Sequence, residues 1–515
     1  MSSALKRFSL CLILFMFLLT SFNINALSYE DTIPTDIENL SFKQELTIPI
    51  DTSLESAKFQ PIDIRVDFDN PCWAKNETIH SVRVAYGGGS DLTEIESQIY
   101  DLKSSDGSSN IEACSLVFLI PKEATGEETY YVLYSDSETS PPEYEDHLSV
   151  KDTHYFYEPI SGQIIDFDYY QIIEGEYIVY GICQQGELLG EGMFNAVIKL
   201  KPNSTEFETV YAEQVAAFSM SYSIEPSGEN TGTQLAMDVS KNVIEDGNLM
   251  IRLQIGGISP EGEIKTDDIY TYYYSPTSTK RLDVNVNHEV LKTCDVKGDM
   301  EREGTYASLS TIKARSATIE KMNIGEIFPN IHFHAEDESI RGYSIPTDPD
   351  ADPAEWILSA TDDDDLGSKA WLCMDDPSTG RAHGLIFESS TGFLEGEDDG
   401  IQVKSSVHQH VNLPGLEADS GDLFAIRNAY EGGKHNTVLP EGMNVNFNIE
   451  FITFQKGGYE AVDAESEIYQ ELVGDRPIYR GNVSDEPEEE KERYALLLIC
   501  IVRDHFLWGL CYLLV

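Results

Sequence analysis

The chain has 515 residues, 41% of them hydrophobic, and its 90 Asp and Glu against 35 Lys and Arg give a formal net charge of −55 at pH 7. A polyanion with no Lys/Arg cluster repels phosphate, which argues against nucleic-acid binding. The 27 Tyr and 22 Phe exclude a wholly disordered chain.

The first 26 residues have the form of a secretory signal peptide. Lys6 and Arg7 precede the apolar run Leu10–Leu19, and small Ala26 stands at the expected cut. The run is too short to span a bilayer, with a retained N-terminal anchor as the alternative. Sequons at Asn39, Asn76, Asn203 and Asn482 agree with export. Of the eight cysteines, Cys72, Cys114, Cys183, Cys294 and Cys373 lie in the body. None forms a CxxC pair, so structural zinc is disfavoured, while disulfides and buried thiols are both open.

Through the body, apolar residues recur every second position. Ile62, Ile64, Val66 and Phe68 alternate with Asp63, Arg65 and Asp67, and similar strands cover Ser81–Tyr86, Cys114–Pro121 and Tyr130–Tyr134. Residues 27–150 are therefore expected to form an Ig-like β-sandwich. Residues 151–476 continue as strands, with one clear helix over Ala464–Val473, capped by Asp463 and stopped by Gly474 and Pro477. An acidic linker, 477–493, then leads to the hydrophobic tail 494–515. Arg503, Asp504 and His505 interrupt that tail, leaving three readings open: an imperfect membrane anchor, a lipid-anchor signal, or an aberrant end of the gene model. The tail is the only expected membrane contact.

Three stretches carry a family resemblance. Val243–Val286 holds an Asp-Gly turn leading into long strands, Ala370–Phe387 a Trp strand, acidic turn and returning small-residue strand, and Leu439–Gln455 a Pro-x-Gly turn and closing strand. Together they resemble the galactose-mutarotase-like β-supersandwich over roughly residues 155–475. The resemblance implies an all-β protein, with an N-terminal β-sandwich followed by a large antiparallel β-supersandwich and few helices. It also implies a carbohydrate-facing fold of the kind shared by polysaccharide lyases, mutarotases and accessory domains of glycosidases. The family's catalytic His and Glu match no named position here, and fold alone does not determine function.

Three constellations could carry chemistry. Two His-x-His pairs, His332 with His334 and His408 with His410, each present two imidazoles on one strand face about 6.5 Å apart, suited to acid–base work on a sugar or to a transition metal. Unrelated histidines are the plainer alternative. Trp371, Asp376, Arg381 and His383 gather the residue types that stack on a sugar ring and bind its hydroxyls, or else form a hairpin whose Trp packs in the core and whose Asp residues cap the turn. Asp348, Asp350 and Asp352, with Asp362 and Asp364, offer hard oxygen ligands for calcium, or are solvated acidic loops.

Nucleophile elbows, zincin helices, phosphate-cradling loops and dinucleotide fingerprints are all absent. The expectation is an exported or cell-surface protein that binds or processes carbohydrate. A structural surface-layer or adhesin-type sandwich without catalysis is the alternative.

Overall fold

A computed structural model describes residues 37–477, apart from internal segments at 89–90, 105–109, 161–162, 184–196, 205–215, 218–222, 225–239, 259–261, 298–307, 314–329, 336, 345–363, 390–393, 396–401, 408–424, 432–436, 440 and 455. The expected signal peptide, the expected acidic linker beyond Pro477 and the hydrophobic tail lie outside the described residues. Met1–Leu40 forms a separate unit, described only around the 3-10 turn Ile37–Asn39, and Ser41 onward forms the second.

The second unit begins with strands β1 (Phe42–Leu46), β2 (Pro61–Trp73), β3 (Arg83–Gly88), β4 (Asp91–Ile95), β5 (Ser97–Ser104), β6 (Asn110–Leu119) and β7 (Thr129–Tyr134). They pair as β1-β7-β3-β4 and β2-β6-β5, all antiparallel. The two sheets enclose a core that includes Ile62, Val66, Val84, Phe118 and Val132. This is the N-terminal sandwich that the alternation predicts.

The chain continues through β8 (Leu148–Ile160), β9 (Gln163–Glu174), β10 (Tyr177–Cys183), β11 (Val197–Ser204), β12 (Ala216–Ala217), β13 (Ser223–Ile224), β14 (Ser240–Asp246), β15 (Met250–Ile258), β16 (Ile264–Tyr273), β17 (Lys280–Val290), β18 (Cys294–Lys297) and β19 (Ser308–Lys313). It closes with β20 (Asn330–His334), β21 (Ile340–Ser344), β22 (Asp364–Asp365), β23 (Trp371–Asp376), β24 (Arg381–Phe387), β25 (Leu394–Glu395), β26 (Gln402–Val407), β27 (Ala425–Glu431), β28 (Thr437–Leu439), β29 (Asn444–Phe454) and helix α1 (Gly458–Leu472). A ten-stranded sheet runs β14-β15-β16-β17-β29-β24-β23-β20-β21, with β25 beside β29, and a nine-stranded sheet runs β22-β26-β27-β19-β12-β11-β10-β9-β8. The protein is therefore all-β with large antiparallel sheets, as expected.

One face of the ten-stranded sheet packs on the nine-stranded sheet. Tyr180 of β10 meets Tyr272 and Phe451 edge-on at centroid distances of 5.5 and 6.1 Å. The other face is covered by the N-terminal sandwich and α1. Gln98 of β5 accepts from the Leu249 and Met250 amides at 3.0 and 2.8 Å, and Tyr100 and Val117 pack on Met250 and Tyr273. Asp63, which alternation along β2 would turn to solvent, is instead buried against Arg252, because the second face of that strand is covered at this end while Arg65 and Asp67 stay exposed.

Helix α1 starts six residues before the expected Ala464. Its N-cap is Gly457 at φ 113°, a left-handed conformation that suits glycine. Asp463 is thus mid-helix, where its carboxylate accepts from the Trp371 indole at 2.9 Å and from Lys369. Val462 and Tyr469 pack on the sheet, while Ile468 and Leu472 complete the sandwich core. Gly384 lets the helix approach, since a Cβ there would stand 2.9 Å from Val462 Cγ1. Cys72, Cys114 and Cys373 are buried free thiols, and burial pushes Cys72 up to about 12.

Candidate functional site

Residues that pair across antiparallel strands share a sheet face, with Cβ atoms about 4.5–5.5 Å apart. On the helix side of the ten-stranded sheet this rule lines up one polar row across four strands: Arg252 opposite Thr271, Thr271 opposite Asp283, and Asp283 opposite Glu450. The adjacent rows pair Asn285 with Asn448 and Asn287 with Asn446. Strand β17 thus carries Asp283, Asn285 and Asn287 at alternate positions, and β29 answers with Asn446, Asn448 and Glu450. A cleft opens over Arg252, Thr271, Asp283, Asn285 and Asn448, walled by Tyr273, Tyr469 and Arg476, with Glu450 beside it next to Asp283.

Each side chain in the row is held by others. Arg252 donates from Nε to Thr271 Oγ1 at 3.1 Å and from Nη2 to Tyr100 Oη at 3.2 Å, and pairs with Asp63 at 3.3 Å. Burial works against its charge, but Tyr100 and Asp63 outweigh it and raise its pKa further. Tyr273 donates to Asp63 at 2.8 Å, tying the cleft wall to the N-terminal sandwich. Arg476 follows α1 into the cleft, pairs with Asp283 Oδ2, and lies 5.2 and 5.5 Å from the ring centroids of Tyr273 and Tyr469.

The amides have a defined orientation. Asn448 Nδ2 donates to Glu388 Oε2 at 2.8 Å, and a carboxylate only accepts, so Asn448 Oδ1 must face Asn285. Asn285 Nδ2 accordingly donates to Asn448 Oδ1 at 2.9 Å and to Asn446 Oδ1 at 3.1 Å. Beneath this ladder, Arg281 makes a two-pronged bond to Glu465 of α1, at 2.7 and 3.0 Å, which also accepts from Gln60 at 2.6 Å. Burial, and then the Glu465 charge, push the Glu450 carboxyl well above the usual carboxylate range despite Arg281. Glu450 thus differs in its surroundings from Asp283, its neighbour in the same row.

The residues singled out from the sequence are distributed elsewhere. Trp371 is fully buried, so of its two readings the core one is found: its ring packs with Ile386, Ile452 and Tyr469. Asp376 caps its turn, accepting from Ser378 Oγ and Thr379 Oγ1 at 2.7 Å each; the Ser378 hydroxyl, ahead of Thr379, lowers its pKa. Arg381 is paired with Asp376, and His383 with Met374, on the opposite sheet face from Trp371 and Cys373. These four residues therefore form no single sugar-binding surface. Burial pushes the His383 imidazole down to about 3, and its edge meets Phe451 at 6.1 Å.

His332 bonds Asp375 Oδ1 through Nδ1 at 2.7 Å and stacks on Tyr459 at 4.2 Å. His334 is buried, with Nε2 3.6 Å from Glu338 Oε2. Both lie on β20, three strands from β29 and so about 14 Å across the sheet from the polar row. His408, His410, Asp348, Asp350, Asp352 and Asp362 lie outside the described residues, and Asp364 is described only as backbone of β22.

The cleft residues were missed in the sequence, although a signal was there. Alternate polar residues run through Asp283-x-Asn285-x-Asn287 and Asn446-x-Asn448-x-Glu450 on strands that would otherwise be apolar. Fold and site together define a class: an all-β supersandwich with an amide and carboxylate cleft on the helix-covered face of its larger sheet.

No family model and no curated protein matches the chain. Among solved structures it is similar to galactose 1-epimerase from Lactobacillus acidophilus, at 10% identity and a TM-score of 0.30 over 60% of this chain and 100% of that one. It is also similar to a structure described as an aldose 1-epimerase from Klebsiella pneumoniae, at 8% identity and a TM-score of 0.28 over 64% of this chain and 97% of that one. At these scores the strand register, rather than the likeness, defines the architecture.

Proposed function

We propose that the protein is an exported carbohydrate-binding protein whose ligand occupies the cleft over Asp283, Asn285 and Asn448. The observation that carries this reading is a convergence of polar atoms with no hydrogen-bond partner: Asp283 Oδ1, Glu450 Oε2, Tyr469 Oη and Arg476 Nε are all buried in or beside the cleft. Each such atom costs roughly 1–3 kcal/mol when left unpaired, and several around one opening mark a place for a polar ligand. Sugar hydroxyls supply both the donors and the acceptors that such atoms lack. Export through residues 1–26 and retention at the cell surface through the tail 494–515 complete the proposal.

A glycan array probed with the purified chain tests it. An oligosaccharide should bind, and Asn448→Ala should weaken that binding at least tenfold without lowering the melting temperature by more than a few degrees. Absence of binding across the array overturns the reading and leaves the adhesin-type role.

The pairing of Asp283 with Glu450 favours a second reading, in which the cleft also processes its sugar. Two carboxyl groups in unlike environments, one ion-paired to Arg476 and one whose pKa burial raises, are the arrangement that glycoside hydrolysis uses for base and acid. Release of reducing ends from a bound oligosaccharide, abolished by Glu450→Gln with binding retained, tests this step.

A further inference from the structure

The cleft shows a particular imbalance of donors and acceptors. Both guanidiniums near it are already engaged, Arg252 by Asp63 and Arg476 by Asp283. The amide donors are largely committed as well: Asn285 Nδ2 gives both hydrogens, to Asn446 and Asn448, and Asn448 Nδ2 gives one of its two to Glu388. Two lining residues keep acceptors in reserve: Asp283, whose Oδ1 is buried without a partner, and Asn285 through its side-chain carbonyl oxygen. The unpartnered donors beside them are Tyr469 Oη and Arg476 Nε, the latter adjacent to the carboxylate it neutralises. The formal charges of Arg252, Arg476, Asp63 and Asp283 cancel, and the whole chain stands at −55.

We infer that the cleft selects uncharged sugars over uronates, with the Asp283–Arg476 pair as the specificity-determining element. This rests on the carbohydrate reading above and names its ligand class. A hydroxyl can donate to Asp283 Oδ1 and accept from Arg476 Nε at once, whereas a sugar carboxylate only accepts and would set its charge against Asp283 with no free cation to answer it. Selectivity arises from groups that the wrong ligand leaves unpaired or repels.

The test uses three matched pairs of oligosaccharides that differ only in oxidation at C6: α-1,4-linked galactose and galacturonate oligomers, β-1,4-linked mannose and mannuronate oligomers, and β-1,4-linked glucose and glucuronate oligomers. Binding of the full chain is measured by calorimetry at low salt and at 0.5 M NaCl. At least one neutral member should bind ten or more times tighter than its uronate, and the preference should persist at high salt, where long-range repulsion by the net charge is screened. Asp283→Asn should weaken the neutral ligand and strengthen the uronate, bringing the ratio toward one. Equal or tighter uronate binding, or a preference that vanishes in high salt, overturns the inference while leaving carbohydrate binding standing. No binding by any of the six overturns this inference, and an array without a single binder overturns the carbohydrate reading with it. The decisive ratio is measured on the unmodified protein, so it does not depend on a variant folding.

Discussion

The most informative perturbation is the loss of one charge beneath the cleft. Glu465 lies on α1, yet its carboxylate joins Arg281 of the ten-stranded sheet at 2.7 and 3.0 Å to Gln60 of the N-terminal sandwich at 2.6 Å. Both charged side chains are buried, so removing one partner leaves an uncompensated charge, usually worth about 3–5 kcal/mol. Glu465→Gln keeps the shape and one acceptor, which places the expected loss near 3 kcal/mol at pH 5.

A second group modifies that figure. Burial, and then the Glu465 charge, raise the Glu450 pKa, with Arg281 acting in the opposite direction. Once Glu465 is neutral, the main repulsion is gone and Arg281 favours ionised Glu450. The Glu450 pKa in the variant therefore falls, and its carboxylate can replace the missing partner as pH rises. Stability of the variant relative to the parent should climb by about 1 kcal/mol or more between pH 5 and pH 8, since a lowered folded-state carboxyl pKa contributes stability on its alkaline side. Urea unfolding followed by tryptophan fluorescence at the two pH values measures this, with Glu450→Gln/Glu465→Gln as the control that cannot recover. A loss below about 1 kcal/mol at both pH values, or an equal recovery in the double variant, would refute the assignment of Glu450 as the reserve charge.

Further expectations concern other sites. Trp371→Ala should cost roughly 3–5 kcal/mol by thermal or urea unfolding, as a large buried ring is lost from the sheet–helix core; unchanged stability would contradict its core placement. Gly384→Val should cost about 1–3 kcal/mol, because its Cβ would press on Val462 at 2.9 Å and displace α1; an unshifted melting temperature would show that the helix gives way freely. Burial raises Glu245 to about 7, so its folded form holds a proton that the unfolded form releases, and stability falls as pH climbs toward 7. Glu245→Gln should then stabilise by about 1 kcal/mol at pH 8 and by nothing measurable at pH 4, allowing for the group's partial exposure. Burial holds His80, His288 and His383 neutral, each near 3, so stability should drop as pH falls below about 6.5, where the unfolded chain takes up protons that the fold excludes. An unfolding free energy flat between pH 6.5 and 4.5 would count against those burials.

Local physics in the sequence alone determined the all-β class, the N-terminal sandwich and the approximate end of α1. Alternation along Ile62–Phe68 reports a covered face, and Gly474 with Pro477 ends a helix wherever the chain lies. It also contained both readings of Trp371 but could not choose, because a Trp on a strand looks the same whether its face meets solvent or a helix. The helix start differed for a similar reason: Gly457 at φ 113° turns the chain early, and Asp463, a good cap in isolation, is drawn to the Trp371 indole.

Only the tertiary structure decided the cleft. Arg252, Thr271, Asp283 and Glu450 are spread over almost two hundred positions, and they share a row because strand register sets them side by side. Polar alternation on β17 and β29 reads in the sequence as an ordinary solvent face. That face became a walled site, and Asp63 a buried counter-charge, because the N-terminal sandwich and α1 pack over the sheet, and such long-range packing leaves no periodic trace in the strands it covers.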